Sequence, residues 1–179
     1  MKYRRICLYG GPGLGKSVLA TKLFSQLKIQ NYDIELVSEW IKTWAHQKYE
    51  IKSYDQLYAF TKQLRKEDLC LNHGNIDLIV SDSPLLLNVA YSKKYGCEYW
   101  SALQEMANLF ECKFPSVHIL LDRKGIKYQN KGRWETKDEA AYMDLYIQQV
   151  LLSNNIEYEK FSTTDHDGIL NYIKDKIDV

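Results

Sequence analysis

A ten-residue stretch near the start of the sequence, YGGPGLGKSV at positions 9–18, restricts the possible folds more than any other. It matches the phosphate-binding pattern G-x-x-x-x-G-K-[ST], which begins at Gly10 and ends at Gly15, Lys16 and Ser17. Glycines let a backbone curl around an anion with its N–H groups inward, because a Cβ would block positive φ values and close approach. Lys16 would then reach the β- and γ-phosphate oxygens of ATP, and the Ser17 hydroxyl would take one position on Mg²⁺. The residues predicted to bind the nucleotide are Gly10, Gly11, Pro12, Gly13, Leu14, Gly15, Lys16, Ser17 and Val18.

The segments on either side of this stretch are predicted to form a strand and a helix, as the pattern requires. The preceding YRRICLY is a β-favouring run, and the following KSVLATKLFSQL places Val18, Leu19, Leu23 and Leu27 on one helical face. A glycine-rich turn between a strand and a helix, without a ligand, is the alternative interpretation. The order of strand, glycine loop and helix, together with the spacing, favours the nucleotide site.

Further segments along the chain alternate between strand and helix patterns. Strands are predicted at DIELVSEW (33–40), IDLIVSDSP (76–84), SVHILLD (116–122) and IEYEKF (156–161). Two of the helical patterns begin with capping boxes, Ser53 with Gln56 and Thr136 with Glu139. Strands that alternate with helices imply right-handed crossovers and a parallel sheet. We therefore predict a single three-layer α/β domain over residues 1–179, with helices on both faces of five parallel strands.

Composition limits the class of protein further. The chain has 179 residues, a formal net charge of +1 and 45% hydrophobic residues, which suit one domain without a general attraction to polyanions. It has no apolar stretch of about 18 residues and no signal-peptide core at its start, so we expect a cytoplasmic protein without a membrane span. The cysteines and histidines lack the spacing of a zinc site, and the cysteines are expected to be reduced thiols. A disulfide between Cys97 and Cys112 is the alternative.

Two carboxylates follow the ends of predicted strands, where ligands bind in parallel α/β sheets. Asp82 follows an apolar strand and is predicted to hold Mg²⁺ directly or through water. The alternative is that Asp82 or Ser83 caps a helix with Pro84 at its first position. Glu39 ends the second strand, where a carboxylate can accept the proton of an acceptor hydroxyl during phosphoryl transfer. A solvated glutamate at a helix start is the alternative for Glu39.

The polar segment RKGIKYQNKGRWETK at positions 123–137 is predicted to form a basic lid. Cations brought in when a site closes stabilise the charge on transferring phosphoryl oxygens, and the lid excludes water. Arg123 and Arg133 are the predicted clamps, because a guanidinium can hold phosphate oxygens in a bidentate fork. A solvated basic loop is one alternative, and contact with a nucleic-acid backbone, with Tyr128 or Trp134 stacked on a base, is another.

The segment between the second and third strands is rich in aromatic residues, including Trp40, Trp44, Tyr58 and Phe60. Helical spacing makes core packing their expected role. Because this segment forms the acceptor pocket in such folds, one or two rings stacked on an acceptor base is the alternative.

The segments GGPGLGKS, LVSEWIKTWA, YDQLYAFTKQ, SDSPLLLNVAY and GRWETKDEA together resemble the P-loop kinases grouped with nicotinamide riboside kinase and thymidylate kinases. They are more similar still to phage-encoded members that include 5-hydroxymethyluridine DNA kinases. The resemblance implies a kinase with strand order 2-3-1-4-5, in which residues 10–17 bind ATP and Arg123 and Arg133 are lid arginines. It also implies that Glu39 or Asp82 acts as the base or as the carboxylate on the metal side.

One position departs from this resemblance. The chain reads Asp82-Ser83-Pro84 in place of the Asp-Arg common in thymidylate kinases, which weakens the case for a nucleoside monophosphate acceptor. Three functions remain: a kinase for a nucleoside-like hydroxyl, with 5-hydroxymethyluracil in phage DNA as the favoured acceptor; a small-molecule kinase for a nucleoside, a nucleotide or nicotinamide riboside; and a P-loop ATPase that is not a kinase. The predicted position of the Glu39 carboxylate, at the strand ends where ligands bind, favours the two kinases.

Overall fold

The computed structural model describes residues 2–41, 44, 47, 49–52, 54–74, 76–125 and 135–178. Its strands are β1 (Arg5–Tyr9), β2 (Ile34–Val37), β3 (Leu78–Ser81), β4 (Ser116–Asp122) and β5 (Glu159–Ser162). Its α-helices are α1 (Lys16–Ile29), α2 (Asp55–Asp68), α3 (Leu85–Lys94), α4 (Trp100–Lys113), α5 (Lys137–Ser153) and α6 (His166–Ile177). A π-helical turn, Leu69–His73, continues α2.

The five strands form one parallel sheet in the order β2-β3-β1-β4-β5, which confirms the predicted fold class and strand order. β1 lies at the centre and pairs with β3 on one side and β4 on the other. Because all the strands run the same way, their carboxyl ends meet at one edge of the sheet. Glu39, Asp82 and Arg123, which follow β2, β3 and β4, therefore share that edge with the glycine loop after β1.

Two hydrophobic clusters cover the two faces of the sheet. On β1, Ile6 and Leu8 belong to one cluster while Cys7 and Tyr9 belong to the other, as the two-residue period of a strand requires. The first face is covered by α1 and α6, and the second by α2, α3, α4 and α5. The predicted three-layer arrangement is thus present. Within the described ranges, no helix combines the length and the hydropathy that a membrane crossing needs.

The starts of two helices were predicted from capping patterns. α5 has its predicted capping box, since the Thr136 hydroxyl accepts from the Glu139 amide and the Glu139 carboxylate accepts from the Thr136 amide. α2 begins at Asp55 with Tyr54 at the N-cap and no side-chain cap. The residue predicted to cap α2, Ser53, lies outside the described residues.

The prediction that Val18 shares the buried face of Leu19, Leu23 and Leu27 is wrong. Val18 is 73% exposed, whereas the three leucines are buried. The leucines follow one another at four-residue spacing and face the sheet, while residue 18 is rotated by about 100° around the helix axis from residue 19. Val18 therefore points to solvent at the start of α1.

All four cysteines are free thiols, so the alternative of a disulfide between Cys97 and Cys112 is not supported. Burial raises the pKa of the Cys7 thiol to about 12, although the charge of Arg5 acts in the opposite direction. Cys112, in contrast, is exposed on α4. The thiols consequently differ in their access to solvent.

A buried polar network links β1 and β3 to α2 and α4. Arg5, at the start of β1, is 2% exposed and forms ion pairs of 2.8 Å with Glu67 and with Glu111. The Gln63 amide and the Ser81 hydroxyl each donate to Glu67 at 3.0 Å. The charged groups are therefore paired and hydrogen-bonded, which is the condition for burying them without a large loss of stability.

Glu111 extends this network to β4. Burial alone would raise the pKa of its carboxyl, but a hydrogen bond with His118, the charge of Arg5 and a hydrogen bond from Ser116 together hold that pKa below its usual value. The Ser116 amide lies 2.6 Å from Glu111 Oε1, and His118 Nε2 lies 3.2 Å from the same oxygen. Because its folded-state pKa is lowered, Glu111 contributes stability at neutral pH that is lost as the pH falls through that pKa.

Replacement of Arg5 by alanine is expected to lower the free energy of unfolding by about 3–5 kcal/mol, because Glu67 and Glu111 would stay buried without their shared counter-ion. Denaturant titration followed by circular dichroism measures the change. Arg65→Ala is the matched control, since Arg65 is 60% exposed in its pair with Asp68 and such a surface pair is worth at most about 1 kcal/mol. Equal losses in the two variants would show that the buried network contributes no more than a surface pair.

Candidate nucleotide-binding site

Glycines give the loop after β1 a shape that other residues avoid. Gly10, Gly13 and Gly15 have φ angles of 142°, 81° and 77°. α1 begins at Lys16 with Gly15 as its N-cap in the left-handed conformation, and no side chain caps the helix. The start of α1 therefore offers its backbone amides and the positive end of the helix dipole to an anion.

Lys16 folds back across the same loop. Its Nζ donates to the carbonyl oxygens of Gly10 at 2.6 Å and of Gly11 at 3.0 Å. When a nucleotide binds, the Lys16 ammonium group can exchange these two hydrogen bonds for bonds to phosphate oxygens. The cation predicted from the sequence is thus held at the glycine loop.

The loop between β5 and α6 contacts the glycine loop. A Cβ built on Gly15 would lie 3.3 Å from Cγ2 of Thr163. Thr163 Oγ1 in this loop and His166 Nδ1, at the first residue of α6, are buried and have no hydrogen-bond partner among the described residues. Buried polar atoms are normally bonded, so these two atoms mark a place where a polar ligand can bind. Sequence reasoning missed both residues because they belong to no motif.

The ends of β2 and β3 are joined by a hydrogen bond between two predicted site residues. The Glu39 amide donates to Asp82 Oδ1 at 2.6 Å, and Asp82 is 1% exposed. The alternative in which Asp82 or Ser83 caps the next helix is wrong, because α3 has Pro84 at its N-cap and no side-chain cap. Pro84 is extended, with φ of −61° and ψ of 158°, so the helix begins at Leu85, one residue later than the capping alternative requires.

Arg123 contacts both the glycine loop and α5. Its Nε donates to Asp144 Oδ2 at 2.5 Å, and its Nη2 donates to the Pro12 carbonyl at 2.9 Å. Asp144 Oδ1 in turn accepts from the Gly11 amide at 2.6 Å. Sequence reasoning missed Asp144, because an aspartate within an amphipathic helix pattern resembles an ordinary solvent-facing residue.

The other predicted clamp, Arg133, lies outside the described residues, as do all lid residues from 126 to 134. The described end of the lid contains Glu135, which is 7% exposed. Its Oε1 lies 3.4 Å from Lys94 Nζ and 3.2 Å from the Tyr95 hydroxyl. Glu135 thus anchors the end of the lid segment to α3.

Carboxylates from three parts of the chain influence the pKa of Tyr91 of α3. Burial, followed by the charges of Glu135, Glu39 and Asp144, raises the pKa of Tyr91 well above its usual value. These three acids come from the end of the lid, the end of β2 and the middle of α5. Two of these acids are themselves paired with cations, Glu135 with Lys94 and Asp144 with Arg123.

Trp40, Trp44 and Tyr58 form an aromatic cluster after β2. The Trp40 ring centroid lies 5.0 Å from those of Trp44 and Tyr58, with interplanar angles of 76° and 79°. The Trp44 and Tyr58 rings are nearly parallel, at 16° and 6.3 Å. The expected core role is wrong for Tyr58, which is 44% exposed, and the two tryptophans are only partly buried, whereas Phe60 is buried as expected.

A strand, a glycine loop and a helix at the centre of a parallel sheet of order 2-3-1-4-5 define a P-loop NTPase fold. The AAA domain family matches residues 5–167, and the chain belongs to this family. A search of curated proteins found no match.

Solved structures show the same fold at low sequence identity. NadR in complex with NAD and AMP-PNP has a TM-score of 0.75 and 11% identity, over 99% of this chain and 50% of NadR. NadR in complex with NR has a TM-score of 0.76 and 12% identity, over 99% of this chain and 52% of NadR. YorR from Bacillus subtilis in complex with phosphorylated GDP has a TM-score of 0.60 and 18% identity, over 97% of this chain and 95% of YorR. The chain thus spans about half the length of the NadR structures and nearly all of YorR.

Gly11 is expected not to tolerate a side chain. A Cβ there would lie 2.6 Å from Asp144 Oδ1 and 2.7 Å from the Ala140 carbonyl oxygen. Gly11→Ala should lower the free energy of unfolding by about 1–3 kcal/mol through overpacking, and it should weaken ATP binding measured by calorimetry.

Gly96→Ala is the control for this prediction. Gly96 has a φ of 68°, and a Cβ there meets nothing within 4 Å, so the substitution tests backbone strain without crowding. We expect its ATP affinity to equal that of the parent protein. A parental ATP affinity in Gly11→Ala as well would contradict the role of close contact at Gly11.

Proposed function

We propose that the protein is an ATP-dependent kinase that transfers the γ-phosphoryl group to a hydroxyl of a nucleoside-like acceptor. The observation that carries this proposal is the 2.6 Å hydrogen bond between Glu39 and Asp82, at the sheet edge where the glycine loop opens. The Glu39 backbone makes this bond and holds the Asp82 carboxylate at the edge. Asp82 would then supply the group for the metal, and the Glu39 side chain would supply the group for the acceptor proton. A P-loop ATPase without an acceptor is the alternative, in which the same acid would act on a water molecule.

The nucleotide would bind through its phosphates at the glycine loop and the start of α1. On binding, Lys16 would exchange the Gly10 and Gly11 carbonyls for β- and γ-phosphate oxygens. Thr163 Oγ1 and His166 Nδ1 are available for other polar parts of the nucleotide. The NadR and YorR structures support a nucleotide as the ligand, because those proteins are complexed with AMP-PNP and with phosphorylated GDP.

The residues at this edge fit a magnesium ion. Ser17 supplies a hydroxyl in the first turn of α1, and Asp82 supplies a buried carboxylate that the Glu39 amide orients. Both are hard oxygen donors, and Mg²⁺ commonly takes its remaining ligands from phosphates and water. Among the described residues, no three His, Cys, Asp or Glu side chains are grouped to hold a metal by themselves, which agrees with such a shared site. The ion would neutralise charge on the phosphate oxygens.

Glu39 is the proposed general base. The acceptor oxygen forms a bond to the γ-phosphorus while the bond from that phosphorus to the bridging oxygen of the leaving ADP breaks. The proton of the acceptor hydroxyl passes to the Glu39 carboxylate. Arg123 and Arg133 are the proposed cations for the charge on the transferring phosphoryl oxygens.

The proposed acceptor carries a flat ring. Trp40 follows Glu39 directly in the chain, and the partly exposed cluster of Trp40, Trp44 and Tyr58 provides ring faces beside the proposed base. The favoured acceptor is the 5-hydroxymethyluracil base of phage DNA, which the sequence resemblance suggests. A base in a duplex would first have to leave the stack, at a cost of a few kcal/mol. The basic lid residues, which precede Glu135, would then contact the DNA backbone.

A small-molecule nucleoside, a nucleotide or nicotinamide riboside is the second candidate acceptor. The specific observation in its favour is the fold that the chain shares with NadR in complex with NR and with YorR in complex with phosphorylated GDP. These ligands are small molecules and not DNA.

The deciding experiment is a transfer assay with γ-labelled ATP and Mg²⁺. DNA containing 5-hydroxymethyluracil, ordinary DNA, free nucleosides, nucleoside monophosphates and nicotinamide riboside are offered side by side. Label on the modified DNA alone would support the favoured acceptor, and label on a small molecule would support the second candidate. Inorganic phosphate as the only labelled product in every arm would overturn the kinase proposal in favour of an ATPase.

Lys16→Ala is expected to lower the transfer rate at least about 100-fold, because the phosphoryl group in transfer would lose the cation that the loop supplies.

Glu39→Gln should bind ATP as the parent protein does and transfer about 100-fold more slowly, because the amide accepts no proton. Calorimetry measures ATP binding, and the labelled assay measures transfer. The matched controls are Lys22→Ala, at an exposed position on α1, and Glu35→Gln, at a partly buried position on β2. Unchanged transfer in Glu39→Gln would remove Glu39 as the base.

Asp82→Asn separates the metal role of Asp82 from its structural role. The amide oxygen can still accept from the Glu39 amide, but the negative charge is lost, so we expect parental thermal stability. The Mg²⁺ concentration for half-maximal transfer should rise at least about tenfold. Asp175→Asn, an exposed change on α6, is the control. A parental Mg²⁺ requirement in Asp82→Asn would rule out Asp82 as a metal ligand.

A further inference from the structure

We propose that Asp144, together with Arg123, is a positioning residue that sets the direction of two peptide planes in the glycine loop. The loop is thereby shaped for the nucleotide phosphates before any nucleotide binds. This inference rests on the proposed function for the identity of the ligand, ATP. It does not depend on which molecule accepts the phosphoryl group.

Asp144 and Arg123 approach the loop from two different elements. Arg123 follows the end of β4, and Asp144 lies two turns into α5. Besides its bond to Asp144 Oδ2, Arg123 donates from Nη2 to Asp144 Oδ1 at 3.1 Å and to the Ala140 carbonyl at 3.4 Å. The arginine and aspartate side chains are only 16% and 21% exposed. A charge-assisted fork with so little exposure is held more firmly than a surface ion pair.

The first peptide plane joins Gly10 to Gly11. The Gly11 amide donates outward to Asp144 Oδ1 at 2.6 Å. In a trans peptide the N–H and the C=O point in opposite directions, so the Gly10 carbonyl must point the other way. That carbonyl accepts from Lys16 Nζ at 2.6 Å. Asp144 therefore determines on which side of the loop the Gly10 carbonyl accepts the hydrogen bond from Lys16.

The second peptide plane joins Pro12 to Gly13. Arg123 Nη2 holds the Pro12 carbonyl at 2.9 Å, so the Gly13 amide points away from Arg123, to the opposite side of that peptide. Pro12 has no amide hydrogen, so Gly11 and Gly13 supply the only N–H groups of residues 11–13. Asp144 thus sets the direction of the Gly11 amide, and Arg123 sets that of the Gly13 amide.

The close packing of α5 on the loop makes this arrangement rigid. Asp144 Oδ1 and the Ala140 carbonyl oxygen leave no room for a Cβ on Gly11, with distances of 2.6 and 2.7 Å. The glycine at position 11 is therefore needed for the approach of the helix as well as for the bend of the loop. The helix cannot shift towards or away from the loop without changing the contacts of Asp144.

The test compares Asp144→Asn and Asp144→Ala with the parent protein in the full chain. Asparagine can still accept from the Gly11 amide but loses the charged fork with Arg123, and alanine loses both contacts. We expect Mg·ATP affinity, measured by calorimetry, to fall about tenfold in Asp144→Asn and further in Asp144→Ala. Inorganic triphosphate, which has no base or sugar, should lose affinity by the same factors. Asp138→Asn, an exposed change on the same helix, is the control and should bind both ligands as the parent does.

A double-variant cycle with Arg123→Gln tests whether the two residues act as a unit. The double variant Arg123→Gln/Asp144→Asn should bind ATP no more weakly than the weaker single variant, because each single change already breaks the ion pair through which Asp144 and Arg123 hold each other in place. A residue with a merely structural role would lower the melting temperature and leave the affinity of the folded protein unchanged. Parental ATP affinity in folded Asp144→Asn and Asp144→Ala, or additive losses in the cycle, would overturn the proposal.

Hydrogen exchange at the Gly11 amide gives a readout without any nucleotide. The exchange should be slow in the parent protein and in Asp138→Asn, and clearly faster in Asp144→Ala. Equal rates would overturn the assigned role of Asp144 even if the variants bound ATP weakly. If the parent protein bound no nucleotide, the kinase proposal would fail, whereas the exchange measurement would still decide the orientation of the Gly10–Gly11 peptide.

Discussion

The placement of the site depends on β1, a five-residue strand that is buried along its whole length and paired on both sides. It ends at Tyr9, directly before the first glycine of the loop. Asp82 follows the neighbouring strand β3 and Arg123 follows the other neighbour, β4, so the two residues lie on either side of that loop. A slip of two residues in the pairing of β1 would displace the loop by about 7 Å relative to both residues. The register of this strand is consequently a condition for any chemistry at the edge of the sheet.

The buried network at the other end of β1 offers a physical reason why the register is unique. Apolar contacts between leucines, isoleucines and valines tolerate some rearrangement, whereas Arg5 must meet Glu67 and Glu111 together. A slip of one residue would turn the Arg5 side chain to the opposite face of the sheet, away from both acids. Buried ion pairs contribute little net stability compared with a well-packed apolar core. Here the ion pairs favour one register of β1 over the others. The register of β1 in turn sets the position of the glycine loop.

The features that were predicted correctly from the sequence are those that depend on neighbouring residues. A few consecutive residues determine each of three features: the glycine loop, the burial of β3 and the capping box at Thr136. The strand order followed from the resemblance of several segments to known kinases, since spacing alone does not order the strands of a parallel sheet. Val18 was assigned to the wrong face because helical periodicity does not show how wide the buried stripe is.

The features that were missed depend on contacts between distant parts of the chain. Asp144 meets Gly11 across 133 positions of sequence, and no local pattern marks either residue as the partner of the other. Thr163 contacts the glycine loop only because the chain returns to this loop after β5, far along the sequence. The aromatic cluster was expected in the core because the spacing of its residues is helical, but spacing does not say whether another element covers a helix.

The four free cysteines give the chain an order of chemical reactivity. A thiol reacts as its thiolate and only where a reagent can reach it. Cys7 is buried inside β1 with a raised pKa, so it is protected in the folded protein. Cys112 is exposed and follows Glu111 near the amino end of β4, at the edge of the sheet opposite the glycine loop. An alkylating fluorophore therefore modifies Cys112 ahead of Cys7, and it places a probe on the native chain without entering the crevice where phosphates are expected.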